Sequence, residues 1–170
     1  MAYLDGEAAY PIYQNQADFI KSKNLSGIVD IGCRTGTVNR WLSEHEYDYF
    51  GFDTSPEPIH KAKSLYPGCN FQVADWNDPP QAVFDVDVVL FSSVLIYAGN
   101  PYEMFEKLCN FYQPTWAIVH EINTRNTEDF NYTDLEYWSN KYPCMTQELS
   151  LDIPCGERTI IYAQYKKFPY

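Results

Sequence analysis

The sequence predicts an α/β protein built on a mostly parallel sheet and finished by an antiparallel hairpin. Three observations carry that reading. Short apolar runs at Gly27–Ile31, Tyr49–Phe52, Asn70–Ala74, Asp87–Phe91 and Trp116–Glu121 alternate with stretches of helical spacing, which is the rhythm of βαβ units. The runs are nearly continuous in apolar residues, as strands covered on both faces are. After Asn123 the rhythm changes, and Gln147–Ile153 and Arg158–Tyr165 flank Pro154-Cys155-Gly156-Glu157, a hairpin turn.

The connecting segments justify themselves in turn. Val38, Trp41 and Leu42 form a helical face after the first strand, and Ile59, Ala62, Lys63 and Leu65 form one after the second. Pro101–Phe111 sets Met104, Phe105, Leu108 and Phe111 on one stripe, with proline in the first turn where its missing N–H costs nothing. Asp134–Tyr142 has helical character and is ended by Pro143. No internal repeat, low-complexity tract or linker interrupts the chain, so one domain is expected over 1–170. Its parts are an N-terminal helical segment or flap over 1–26, a core over 27–123, and a helix with β-hairpin over 124–170.

Composition narrows the function classes. The 170 residues are 45% hydrophobic and 21% charged, a globular mixture, with 17% aromatics and 15 tyrosines. Lys and Arg total 12 against 23 Asp and Glu, a formal charge of −11. That field repels phosphate backbones and anionic membranes, so neither a nucleic acid nor a membrane surface is the expected partner. Cys33, Cys69, Cys109, Cys144 and Cys155 are odd in number, without a C-x-x-C or a histidine at ligand spacing. Neither a metal site nor a disulfide framework is expected. Asp5 and Glu7 mark the N-terminus as no signal peptide, and no apolar run is long enough to span a bilayer, so the cytoplasm is the expected location.

The chemistry concentrates around Ile28-Val29-Asp30-Ile31-Gly32-Cys33-Arg34-Thr35-Gly36-Thr37. A buried strand ends on an acid and is followed by a loop with glycines at i and i+4. Glycine there permits positive φ and close approach of a ligand to bare backbone. The N–H groups of the loop and of the following helix start favour anionic groups. Asp53 ends the second strand, where an acid accepts hydrogen bonds from ribose hydroxyls, and Asp75-Trp76 follows the third. Three acids on successive strand ends suit a nucleoside that carries positive charge elsewhere.

Asp30-x-Gly32-x-x-x-Gly36, Gly51-Phe52-Asp53-Thr54-Ser55-Pro56, Ala74-Asp75 and Ser92-Ser93-Val94-Leu95 resemble successive motifs of the class I S-adenosylmethionine-dependent methyltransferases, nearest the small-molecule branch that includes trans-aconitate methyltransferase. The resemblance runs from about Gly27 to Asn123. It implies a Rossmann-like fold, a doubly wound seven-stranded sheet with the last strand antiparallel. It assigns S-adenosylmethionine, with S-adenosylhomocysteine as product, to Asp30, Gly32, Cys33, Arg34, Gly36, Asp53, Thr54, Asp75, Trp76 and Ser92. Asp30 and the glycine loop would meet the methionine part, Asp53 the ribose hydroxyls, Asp75 the adenine amino group, and Trp76 would lie beside the ring.

Three features depart from the family pattern. Arg34 stands where a third glycine is usual, which requires negative φ there and a side chain turned away from the cofactor or bound to it. Tyr112-Gln113-Pro114-Thr115-Trp116 replaces Leu-x-Pro-Gly-Gly before the fifth strand, at the end of the sheet opposite the site. Ile96 and Tyr97 stand where a histidine is common.

Methyl transfer from a sulfonium is an in-line displacement governed by alignment and exclusion of water. A hydroxyl or carboxylic acid acceptor also benefits from a general base. Candidates are Glu121, His120 and Tyr97; His120 and Glu121 alternate in direction along a strand, so one of them faces the site. Tyr10, Tyr13, Tyr97 and Asn123 are candidates for the acceptor side, with Tyr10 and Tyr13 as a flap. Asn77-Asp78-Pro79-Pro80 reads as a loop. The acceptor is expected to be a small molecule or a protein side chain. The alternatives are a cofactor-binding regulatory protein of the same fold without turnover and, more weakly, a nucleic-acid methyltransferase. A nicotinamide dehydrogenase lacks its Gly-x-Gly-x-x-Gly here.

Overall fold

The computed structural model describes residues 7–122, 145–153 and 156–164. Seven strands form one sheet: β1 (Gly27–Ile31), β2 (Asp48–Asp53), β3 (Asn70–Val73), β4 (Val88–Ser92), β5 (Trp116–Ile122), β6 (Met145–Ile153) and β7 (Gly156–Gln164). Their order is β3-β2-β1-β4-β5-β7-β6. The first five run parallel, and β7 inserts antiparallel between β5 and β6. β1 and β4 are buried along their whole length, which explains their uninterrupted apolar character.

Among the described residues three α-helices cover the sheet: α1 (Tyr10–Ser22), α2 (Pro56–Leu65) and α3 (Pro101–Tyr112). α3 starts because Asn100 caps it, its side chain accepting from the Glu103 N–H at 3.1 Å, with Pro101 at the first position. It ends at Gln113, which is left-handed at φ 50, and Pro114 forbids continuation. α2 also starts on a proline and stops at Tyr66, the residue before Pro67.

The two faces of the sheet build two cores. Ile12, Tyr13, Ala17 and Ile20 of α1, with Ile59 and Ala62 of α2, pack on Ile28, Val88, Leu90 and Ile118. Phe19 stacks on Tyr162 at 4.2 Å between centroids. On the other face, Met104, Phe105, Leu108 and Cys109 of α3 pack on Val29, Ile31, Val89, Phe91 and Val119.

Several expectations need correction. The segment after β1 is a five-residue 3-10 helix, Thr37–Trp41, rather than an α-helix; Val38 and Leu42 are nonetheless buried. Leu65 and Phe111 leave their helical stripes for solvent, at 53% and 38% exposure, each in the last turn of its helix. Gly156 and Glu157, expected in the hairpin turn, belong to β7, while 154–155 and the expected helix Asp134–Tyr142 lie outside the described residues. Among the described residues no helix is long and apolar enough to cross a membrane.

Candidate cofactor site

The order of the strands reverses between β1 and β4, and ligands of open α/β sheets bind in the crevice at that point, outside the strands' carboxyl ends. The glycine loop leaves β1 there. Gly32 and Gly36 both take positive φ, 63° and 69°. A Cβ at Gly32 would lie 2.7 Å from Val94 Cγ2, and one at Gly36 would lie 2.7 Å from the Phe71 ring. Both glycines are therefore demanded by conformation and by space.

Hydrogen bonds pin the loop to β2. The Cys33 N–H donates to the Phe52 carbonyl at 3.1 Å and the Arg34 N–H to Asp53 Oδ2 at 3.1 Å. The Gly36 N–H closes the turn on the Cys33 carbonyl at 2.8 Å. Asn39, buried one turn on, donates from Nδ2 to the Gly36 carbonyl at 2.9 Å. Arg34 takes φ 48°, the left-handed conformation that glycine adopts freely. The negative φ expected for it is thus not found: the loop holds Arg34 in a left-handed conformation, and the arginine backbone bears the strain.

Asp30 is the penultimate residue of β1 and is buried inside the protein. In register it lies opposite Gly51 of β2, which has no side chain, and Tyr49 of the same strand face reaches across that gap. The Tyr49 hydroxyl donates to Asp30 Oδ2 at 2.7 Å, while Oδ1 is buried without a partner. A Cβ at Gly51 would come within 2.7 Å of Cys33 Sγ and 2.9 Å of the Tyr49 hydroxyl. Burial, moderated by the Tyr49 bond and reinforced by the Asp53 charge, pushes the Asp30 carboxyl up to about 7. Burial, with the Asp30 and Asp53 charges behind it, also raises the Cys33 thiol, which removes it as a ready nucleophile.

Asp53 is half-buried. Its Oδ1 accepts from the Ser55 N–H at 2.9 Å and its Oδ2 from Arg34, so its orientation is fixed with lone pairs still open to solvent. Thr54 is exposed. Asp75 is exposed and holds an Asx turn, accepting from the Asn77 N–H and side-chain amide at 2.7 and 2.8 Å. Trp76 packs against the α3-side core, with the Lys107 ammonium 5.4 Å from its ring centroid.

On β4 and β5, Ser92 and His120 are register partners and both are buried. They share the α1 face with Asp30, since Leu90 and Ile118 two residues back lie in that core. Glu121 is buried on the α3 face instead. Tyr97 is 69% exposed. Tyr10 and Tyr13 sit in α1: Tyr13 is core, and Tyr10 meets Trp41 edge-on at 5.1 Å while its hydroxyl accepts from Arg40 at 3.2 Å. Asn123 lies outside the described residues. Two participants were missed from the sequence, Tyr49 and Gln16. Tyr49-x-Gly51 beside an acid-ended strand was a signal for the first. A glutamine among Ile12, Tyr13, Ala17 and Ile20 on the apolar side of a helix was one for the second.

A buried carboxyl with an unpartnered oxygen, a positive-φ glycine loop and a fixed acid at the next strand end lie together at the reversal of strand order, as the resemblance to the class I S-adenosylmethionine-dependent methyltransferases implies. Residues 28–115 match the family described as Methyltransferase domain, and the chain belongs to it. It is 27% identical over 127 residues to trans-aconitate 2-methyltransferase of Escherichia coli (strain 55989 / EAEC), covering 71% of this chain and 49% of that protein. The chain thus spans about half the length of the curated relatives it matches. Among solved structures, magnesium protoporphyrin IX methyltransferase of Synechocystis PCC 6803 with bound S-adenosylhomocysteine superposes with a TM-score of 0.74 at 13% identity, over 94% of this chain and 84% of that one. N-methyltransferase NodS of Bradyrhizobium japonicum WM9 gives 0.72 at 12%, over 97% and 100%. These two likenesses are likenesses of fold.

Proposed function

We propose that the protein transfers a methyl group from S-adenosylmethionine to a small-molecule or protein side-chain acceptor by in-line displacement. The observation that carries this reading is the Asp30 carboxyl, buried and half-satisfied beside the glycine loop. Such a group lacks a cation or a donor, and the amino-acid end of the cofactor has one. When bound, S-adenosylmethionine supplies a methyl group already activated on a sulfonium. The protein's own residues then bind, orient and exclude water.

In this reading Asp53 takes the ribose hydroxyls on its open lone pairs, and Asp75 with Trp76 borders the adenine. Gly32 and Gly36 let backbone lie against the methionine part, and Val94 closes the wall. Residues 27–123 hold the cofactor, and 1–26 with 124–170 shape the acceptor side. His120 shares the sheet face of Asp30 and Ser92, which favours it over Glu121 as a proton acceptor for a hydroxyl or carboxylic acid substrate. A small carboxylic acid acceptor is supported by the relation to trans-aconitate 2-methyltransferases.

Isothermal titration with S-adenosylmethionine tests the reading, with micromolar binding expected; absence of binding at millimolar cofactor would overturn it. Labelled methyl transfer to a panel of small acids, amines and peptides then separates turnover from a binding role alone.

A further inference from the structure

Gln16 is 0% exposed on the α1 face of the sheet. Its Nε2 donates to Ser92 Oγ at 2.9 Å, at the carboxyl end of β4, and its Oε1 is buried with no partner. A buried amide oxygen left without a donor forfeits its hydration with nothing in return. A leucine or methionine would fill the same place among Ile12, Ala17 and Ile20 at no such cost. The neighbouring strand carries a second atom in the same condition, Asp30 Oδ1. β1 and β4 are adjacent, Asp30 pairing with Leu90 and Ser92 lying one residue of the same face further on. Two unsatisfied acceptors therefore flank the crevice at the reversal of strand order, both on the α1 face.

We propose that Gln16 is a cofactor-contacting residue, its Oε1 and Asp30 Oδ1 accepting N–H bonds from one primary ammonium, that of the amino-acid end of S-adenosylmethionine. This rests on the function proposed above. A primary ammonium carries three N–H donors and a full positive charge, so it can satisfy both acceptors and restore the ionised form of Asp30. The bond to Ser92 commits Nε2 and fixes the amide, leaving Oε1 for a donor. α1 thereby senses the amino-acid end of the ligand directly, and Ser92 acts as the positioning residue behind it.

The test compares the wild type with Gln16→Met and Gln16→Leu by calorimetry, using three probes: S-adenosylhomocysteine, 5′-methylthioadenosine, which lacks the amino-acid end, and decarboxylated S-adenosylmethionine, which keeps the ammonium. Both variants are expected to weaken S-adenosylhomocysteine and the decarboxylated compound by roughly 10- to 100-fold, the scale of a hydrogen bond to a charged group. Binding of 5′-methylthioadenosine should be unchanged, which also certifies that the variants are folded. Equal weakening of all three probes, or unchanged S-adenosylhomocysteine binding, would overturn the inference. So would loss confined to the ligand that carries a carboxylate, which would place the amide against that group. Failure of the wild type to bind S-adenosylhomocysteine would remove the proposed function itself, a separate outcome.

Discussion

On the α3 side of the sheet, Val29, Ile31, Phe50, Phe52, Val89, Phe91 and Val119 meet Met104, Phe105 and Leu108 in continuous apolar contact. On the α1 side the same strands begin equally apolar, with Ile28, Val88, Leu90 and Ile118, and then turn polar at their carboxyl ends: Asp30, Asp53, Ser92 and His120, with Gln16 reaching in from the helix. Backbone and pairing are common to both faces. The closed α3 face is apolar up to Glu121 at the end of β5, whereas the unfinished α1 face holds two buried acceptors without a donor, Asp30 Oδ1 and Gln16 Oε1. Unsatisfied buried groups lower stability, so finding these two acceptors together at one end of the α1 face supports the ligand site proposed there.

The sharpest way to break this contrast is to cut into the closed face. Phe105, which lies 5.1 Å from Phe91 between ring centroids, contributes through packing alone. Phe105→Ala should lower the unfolding free energy by about 3–5 kcal/mol, read by denaturant titration. The dissociation constant for S-adenosylmethionine, measured where the variant is folded, should not move; a large loss of affinity would tie α3 to the site.

The unfinished face should respond to pH. Asp30 has its carboxyl pushed from 3.8 to about 7 in the folded chain, so the folded state binds the proton more tightly. Its contribution to stability is full below about pH 4 and is lost as pH rises through about 7. Asp30→Asn should remove that slope, a change on the order of 3 kcal/mol between pH 4 and pH 7 in paired melts of wild type and variant. Parallel profiles for the two proteins would mean that Asp30 is ionised without a ligand.

A smaller effect is expected in the glycine loop. Gly36→Ala places a Cβ against the Phe71 ring at φ 69° and should destabilise by about 2 kcal/mol. Adding Phe71→Leu should recover the steric part; no recovery would assign the whole cost to backbone conformation. Smallest is Arg34→Gly, which relieves the left-handed arginine and should stabilise by about 0.5–1 kcal/mol in the same assay. If affinity for S-adenosylmethionine falls about tenfold while stability rises, the guanidinium serves the ligand.

Much of this was legible beforehand. β1 is found at Gly27–Ile31 as read, and β2 to β5 within a residue or so at each end; β1, β2, β4 and β5 were legible because strands buried on both faces leave unbroken apolar runs, whereas β3, expected to be covered on both faces, buries Phe71 alone and leaves Val73 exposed at the edge of the sheet. Gly32, Gly36 and the acids Asp30 and Asp53 were legible because loop conformation and strand-end chemistry restrict residue type. Arg34 was misread in conformation: its φ is set by the Cys33 and Arg34 N–H bonds to β2, contacts far apart in sequence. Tyr49 and Gln16 were missed for a related reason, since which groups a buried side chain meets depends on strand order and register rather than on its neighbours in the chain. The 3-10 helix at Thr37–Trp41 escaped because α and 3-10 turns differ little in apolar spacing over so few residues.

One contact at the far end of the sheet bears on how such a molecule comes together. Asp87 Oδ2 accepts from the Ser26 N–H, the Ser26 hydroxyl and the Gly27 N–H at 2.8, 3.1 and 3.0 Å, joining the start of β1 to the start of β4 across 60 positions of sequence. The β1–β4 pair whose other end opens into the crevice is thus a seam between two halves of the chain. Neither half contains the crevice. A break in the intervening loop, where Val83 is almost fully exposed, should leave two fragments whose reunion creates the binding site, so ligand capture would report fragment complementation.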